Sequence, residues 1–221
     1  MAQNLDYYLH GDTYVNNKQT LGGGTPVWRH QPSFRMVGGL LTSTFLKGEL
    51  LHAASPVDYD EKTHVAKILK CFKVTAVSTE GSNTIIKMAN TFMSPTLNVG
   101  MNVMVAPSTL DGTGKGVLIS AIDTSVDGSY TITVLTASIN SVTVGSFIVE
   151  ASAAGAGVTM YCKPNTLLAN DLIIGEQSSV SIIRKEPASL YRNSMPDAPD
   201  IVIDNILAVN PLIEFEYLPE V

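Results

Sequence analysis

The chain has 221 residues, enough for one large domain or two small ones at about 100–200 residues per domain. Hydrophobic residues make up 45% and charged ones only 15%, a globular composition whose shortage of charge favours strands and turns over solvent-facing helices. The formal net charge of −6, with no Lys/Arg cluster, argues against a nucleic-acid partner, and no apolar run approaches the about 18 residues of a membrane span.

The N-terminal stretch lacks the basic and apolar regions of a signal peptide. Residues 1–45 read as an extended arm. Tyr7, Tyr8 and Tyr14 alternate with polar residues, Gly22-Gly23-Gly24 makes a flexible break, and Trp28-Arg29 and Phe34-Arg35 form a short basic-aromatic piece. Bulky anchors on a Gly/Pro-broken segment suit an arm lying across a partner. Tyr7, Tyr8, Tyr14, Trp28, Arg29, Phe34 and Arg35 are therefore the candidate partner-binding residues.

Residues 46–74 read as paired strands. Leu50–Ala53 leads to Pro56–Asp60, and Val65–Val74 alternates, with Ala66, Ile68, Lys70, Phe72 and Val74 on one face. From Thr75 to Ala151 short β-branched runs recur at Thr84–Met88, Asn102–Val105, Gly116–Ser120, Tyr130–Val134 and Phe147–Val149, separated by Gly/Asn/Asp turns. Between Thr91 and Val149 the charged residues are Asp111, Lys115, Asp123 and Asp127 alone. Leu97–Val105 and Val142–Val149 share an apolar-x-Val-Gly pattern, expected of units that enter a barrel alike. Residues 75–151 thus form a small β-barrel or β-sandwich inserted into a β-rich base domain made of 46–74 and 152–221. In the base, Pro164–Leu168 reads as a short helical turn, Leu172–Gly175 and Val180–Arg184 as strands, and Tyr191–Pro199 as a loop. Ile201–Leu207 and Ile213–Tyr217 close the chain. The fold class is mainly β.

Motifs that carry chemistry are thin. Gly112-Thr113-Gly114-Lys115-Gly116 fails as a phosphate loop: the motif needs Gly where Thr109 stands and Ser or Thr where Gly116 stands, so it reads as a hairpin turn. His52 and His64 flank Asp58 and Asp60, yet the set reads as surface polar residues on a hairpin. Asp111, Asp123 and Asp127 lack calcium-loop spacing and read as turn residues. Cys71 and Cys162, with no CxxC spacing, are expected as free buried thiols. No catalytic residue, metal site or cofactor is expected, and the chain is read as not an enzyme.

The pattern of Lys47–Leu51, Pro56–Asp60 and Ala66–Val74, then Leu97–Pro107, Gly112–Gly116, Thr131–Thr136, Gly145–Ala151 and Tyr161–Leu167, resembles capsid decoration and head-fibre proteins of tailed phages, especially crAss-like and other Bacteroidetes phages. The resemblance covers roughly residues 40–221 and leaves out the arm. It implies a virion structural protein on the capsid exterior, made in the host cytoplasm. Such a protein binds the major capsid protein and forms a homotrimer, with no nucleic acid or membrane partner. The competing reading is a carbohydrate-binding adhesion module that recognises a surface glycan, for which the insert offers Phe92, Tyr130 and Phe147.

Overall fold

The structure, a computed structural model, describes residues 27–30, 34–41, 45, 47–175, 179–183 and 187–217. The chain is mainly β. It begins with β1 (Trp28–His30), β2 (Phe34–Leu41), β3 (Leu50–Leu51), β4 (Pro56–Asp60) and β5 (Val65–Ile68). It continues through β6 (Cys71–Glu80), β7 (Asn83–Ala89), β8 (Asn102–Val105), β9 (Gly114–Leu118), β10 (Ser129–Leu135), β11 (Phe147–Glu150) and β12 (Gly155–Val158). The last part holds β13 (Thr166–Leu167), β14 (Leu172–Ile173), β15 (Ser179–Ile183), β16 (Ala188–Tyr191), a helix α1 (Asp200–Val209) and β17 (Ile213–Glu216).

Strands β6 to β12 build one seven-stranded antiparallel sheet in the order β10-β7-β6-β11-β8-β9-β12. Alternate residues point to a single core of Phe72, Val74, Ile86, Met88, Val103, Ile132, Val134 and Ile148. Period-two alternation puts every second side chain on one face, so a sheet whose inner positions all meet must curl around them. The curl brings β9 to the short 3-10 turn after β10: Lys115 Nζ donates to the Ala137 carbonyl at 2.9 Å. A bulge between Val74 and Ala76 restores the inward side for Val77.

The two Val-Gly echoes enter this sheet alike. Gly100 and Gly145 both take the left-handed backbone (φ 89° and 86°), each at the turn that feeds its strand, β8 or β11, and those strands pair with each other. Gly116 has a different reason. A Cβ there would lie 2.1 Å from the Ala153 carbonyl oxygen, so only glycine admits the close pass of the 151–155 segment.

The base holds a five-stranded sheet ordered β13-β4-β5-β2-β15. Its two edges meet through the Leu168↔Ile182 bridge and the Ala169 N–H to Ser181 carbonyl bond, which closes it around Val57, Tyr59, Ala66, Ile68, Val180 and Ile182. Beside it lie β14 paired with β3, and a small sheet in which β16 is flanked by β1 and β17. Helix α1 buries Val202, Ile203 and Ile206 against this part.

Several expectations are corrected. Residues 28–30 and 34–41 are not arm: β1 pairs with β16, and β2 pairs with β15 and β5 inside the base. Residues 1–26, including the glycine run, lie outside the described residues. Val65–Val74 is two strands, because the chain leaves one sheet at Ile68 and enters the next at Cys71. Thr166–Leu167 is a strand against β4, where a helical turn was expected. Ile201–Leu207 belongs to α1, started by Pro199 and Asp200, whose carboxylate suits a helix N-terminus.

Candidate functional site

Of the seven candidate partner-binding residues, Tyr7, Tyr8 and Tyr14 lie outside the described residues. Trp28 is not an outward anchor. Its side chain is 7% exposed within the base core, and its Nε1–H donates to the Ala169 carbonyl at 2.9 Å. A buried indole needs that acceptor, and β1 positions it there by pairing with β16. Arg29 is exposed and ion-paired with Glu216 on β17, which raises its already high pKa. Phe34 and Arg35 sit on β2, opposite Ile183 and Ile182 of β15, and their side chains lie outside the description. The structure therefore divides Trp28 and Arg29 from Phe34 and Arg35 between two sheets.

His52 and His64 do not converge. His52 is buried, not a surface residue. Its ring packs 4.7 Å from that of Phe92, and Nδ1 lies 3.7 Å from Asp171 Oδ1. Ser55 Oγ donates to the His52 carbonyl at 2.7 Å, so its hydroxyl is directed at the backbone and forms no nucleophile relay with that ring. His64 instead pairs through Nδ1 with the Tyr59 hydroxyl at 2.7 Å. Asp58 accepts the Lys163 N–H. Asp60 accepts the N–H of Lys62 and the hydroxyl of Thr63, and these bonds hold its carboxyl below the usual range. Among the described residues no three His, Cys, Asp or Glu side chains gather as a metal site. Cys71 and Cys162 are free and buried, and desolvation pushes both thiols up, away from thiolate chemistry. A cleft bordered by His52, Leu69, Met93, Pro95 and Asp197 has about 10 Å³, room for about one water molecule.

Two features remain. The first is the surface of the seven-stranded sheet. Each of the four charges between Thr91 and Val149 engages a local partner. Asp111 pairs with Lys163, Lys115 with the Ala137 carbonyl, Asp123 with the Ser125 N–H and Asp127 with the Gly128 N–H. The outward rows across β10, β7 and β6 read Thr133–Ile85–Ser78 and Leu135–Asn83–Glu80, with Lys87 and Lys73 as further charges. Val99, Leu118, Val126, Leu135 and Val144 stand exposed on this unit. Of its aromatics, Phe92 is 55% exposed, whereas Tyr130 meets Phe72 edge-on and Phe147 packs on the base core.

The second feature is the junction of the two sheet systems, which sequence reasoning missed as a site. Lys70 lies between β5 and β6 with 1% of its side chain exposed. Its Nζ donates to Glu49 Oε1 at 2.5 Å and to the Thr96 carbonyl at 2.8 Å, and sits 4.6 Å from the centre of the Phe45 ring. Burial lowers the Lys70 pKa despite the pull of Glu49 and Glu150. Glu150, at the end of β11, is 9% exposed. Burial pushes its carboxyl up to about 7, opposed by Lys70 and reinforced by Glu49. The signal was legible: in the alternation of Ala66, Ile68, Phe72 and Val74, Lys70 is a charge on an apolar face.

No family model, curated protein or solved structure matches the chain.

Proposed function

We propose that this protein is a virion structural protein that decorates the outside of a phage capsid, binds the major capsid protein and self-associates as a trimer. The observation that carries the reading is the seven-stranded unit itself. From Thr91 to Val149 its few charges are held at local partners, and exposed apolar side chains remain at Val99, Leu118, Val126, Leu135 and Val144. Charge-poor surface costs little to desolvate, so it suits repeated protein contacts. Copies on a symmetric shell add avidity, so each contact can be modest. The base, with the other sheets, is the part that sits on the shell, and the seven-stranded unit is the part that meets its copies. The sugar-binding alternative has weaker support, because Tyr130 and Phe147 pack inward and leave Phe92 as the exposed aromatic of its three.

Mass photometry of the purified chain, alone and mixed with expanded undecorated heads, tests this. A trimer that saturates the heads is expected, and a monomer that ignores them overturns the proposal. Deleting residues 1–26 then tests the arm without removing β1 and β2, which deletion through residue 45 would take out of the base sheets.

A further inference from the structure

The charge-poor stretch carries two Asp-Gly steps, Asp111-Gly112 between β8 and β9 and Asp127-Gly128 between β9 and β10. In such a step no side chain shields the glycine nitrogen, and its attack on the preceding carboxyl carbon closes a five-membered ring. The fold treats the two steps oppositely. Asp111 is held away from its glycine: its carboxylate pairs with Lys163, and the Gly112 N–H donates to the Thr109 carbonyl at 2.9 Å. The flank of Gly112 is also filled. A Cβ there would lie 2.6 Å from Pro107 Cβ and 2.9 Å from the Thr109 carbonyl oxygen.

Asp127 is turned back onto its own peptide link. The Gly128 N–H donates to Asp127 Oδ1 at 2.9 Å, so the carboxyl already stands against the nitrogen that would close the ring. Both residues are exposed, and Gly128 takes the left-handed backbone at φ 70°. Its flank is open: the nearest atom to a Cβ there would be the Asn90 carbonyl oxygen, at 4.0 Å.

We propose that Asp127 is a site of spontaneous isomerisation, at which the turn before β10 passes through a cyclic imide to isoaspartate. The Gly128 nitrogen attacks Asp127 Cγ. An N–C bond forms, the Cγ–OH bond of the protonated carboxyl breaks, and that hydroxyl leaves as water with the amide proton. Water then adds back. Addition at Cγ restores aspartate. Addition at the main-chain carbonyl carbon of Asp127 breaks its bond to the Gly128 nitrogen, and the chain thereafter runs through Cβ and Cγ. Water is the only co-reactant. Holding the reacting groups in contact removes a search through rotamers, so the fold speeds the step at Asp127 and withholds it at Asp111.

The product lengthens the main chain by one carbon where the turn is most tightly tied. The Ser129 N–H and hydroxyl both donate to the Val126 carbonyl, at 3.2 and 3.0 Å, and the Asn90 N–H donates to the Gly128 carbonyl at 2.9 Å. A longer turn cannot keep all three bonds. The Ser129↔Ala89 end of the β10–β7 pairing then opens, and the exposed Val126 moves with it. This inference stands apart from the virion proposal and needs no capsid to test.

The full chain is stored at pH 6, folded or unfolded in guanidinium chloride, and its peptides are mapped by electron-transfer fragmentation, which separates isoaspartate from aspartate. In the folded chain, isoaspartate and the imide, one water lighter, are expected to accumulate at Asp127 about tenfold faster than at Asp111. In denaturant, where neither step is held, the two rates should draw level. Amide exchange in the aged folded chain should quicken at Asn90 and Ser129, and Asp127→Ser, which has no carboxyl, should stay unchanged on storage. Equal rates in the folded chain, a faster rate at Asp111, or a lead at Asp127 that persists in denaturant overturns the proposal. Should Asp127→Ser not fold, the wild-type comparison with and without denaturant decides alone.

Discussion

Lys70 and Glu49 hold each other at 2.5 Å with almost no exposure on either side chain. Removing two ions from water costs several kcal/mol per ion, by about the amount their attraction returns, so such a pair adds little net stability. Breaking it is another matter. Lys70→Met or Glu49→Gln alone is expected to cost about 3–5 kcal/mol in urea unfolding at pH 6, because each removes the opposite charge from a buried ion. The double replacement Glu49→Leu with Lys70→Met should cost less than either single change. Additive losses would show that the two side chains act independently. At this scale the sequence was half legible. A lysine alternating with Ala66, Ile68, Phe72 and Val74 announces a buried cation, but nothing local names Glu49, 21 positions earlier, as its partner. Trp28 shows the converse: beside a glycine run, an indole that anchors a partner and one that plugs its own core look the same until β1 finds β16.

Strands were the most legible elements, because two-residue alternation survives wherever one face is buried. Thr84–Met88, Tyr130–Val134 and Phe147–Val149 read directly, and their inward residues form the core of the seven-stranded sheet. Helix α1 was not legible. Its Ile201-Val202-Ile203 run is β-branched, and only the buried set Val202, Ile203 and Ile206, set by packing on the base, makes the helical spacing clear. Thr166–Leu167 became a strand for a similar reason: the long-range pairing with β4 outweighs any local turn preference. The β9–β12 edge depends on a missing side chain. Gly116→Ala is expected to destabilise the protein by about 1–3 kcal/mol and to speed amide exchange across Gly155–Val158, since its Cβ would meet the Ala153 carbonyl oxygen at 2.1 Å. An unchanged unfolding midpoint and unchanged exchange would mean the 151–155 segment yields freely.

Across the whole molecule, one buried cluster joins the two sheet systems beside the separate core of each. Cys71, Met104, Val149 and Ala151 from the seven-stranded side pack in the same cluster as Leu167, Ile183, Leu190 and the α1 residues Val202 and Ile206. Unfolding should therefore be a single transition, with calorimetric and van't Hoff enthalpies in agreement. Two separated heat-absorption peaks would contradict a shared core. The charge-poor run from Thr91 to Val149 falls within the seven-stranded sheet, but the contact between the parts was not legible, because Leu69 and Lys70 read as the middle of one strand. The threading has a temporal consequence. During synthesis the seven-stranded sheet has all its strands once Val158 is made, and two of its pairings, β6–β7 and β8–β9, join consecutive strands. The base is in the opposite position. Trp28 and β2 emerge before that sheet, yet their antiparallel partners β16 and β15 come some 150 residues later, and β17 completes the sheet of β1. A growing chain must therefore keep these apolar strands in waiting, exposed to chaperones or to a neighbouring nascent copy, until β15 and β16 have left the ribosome.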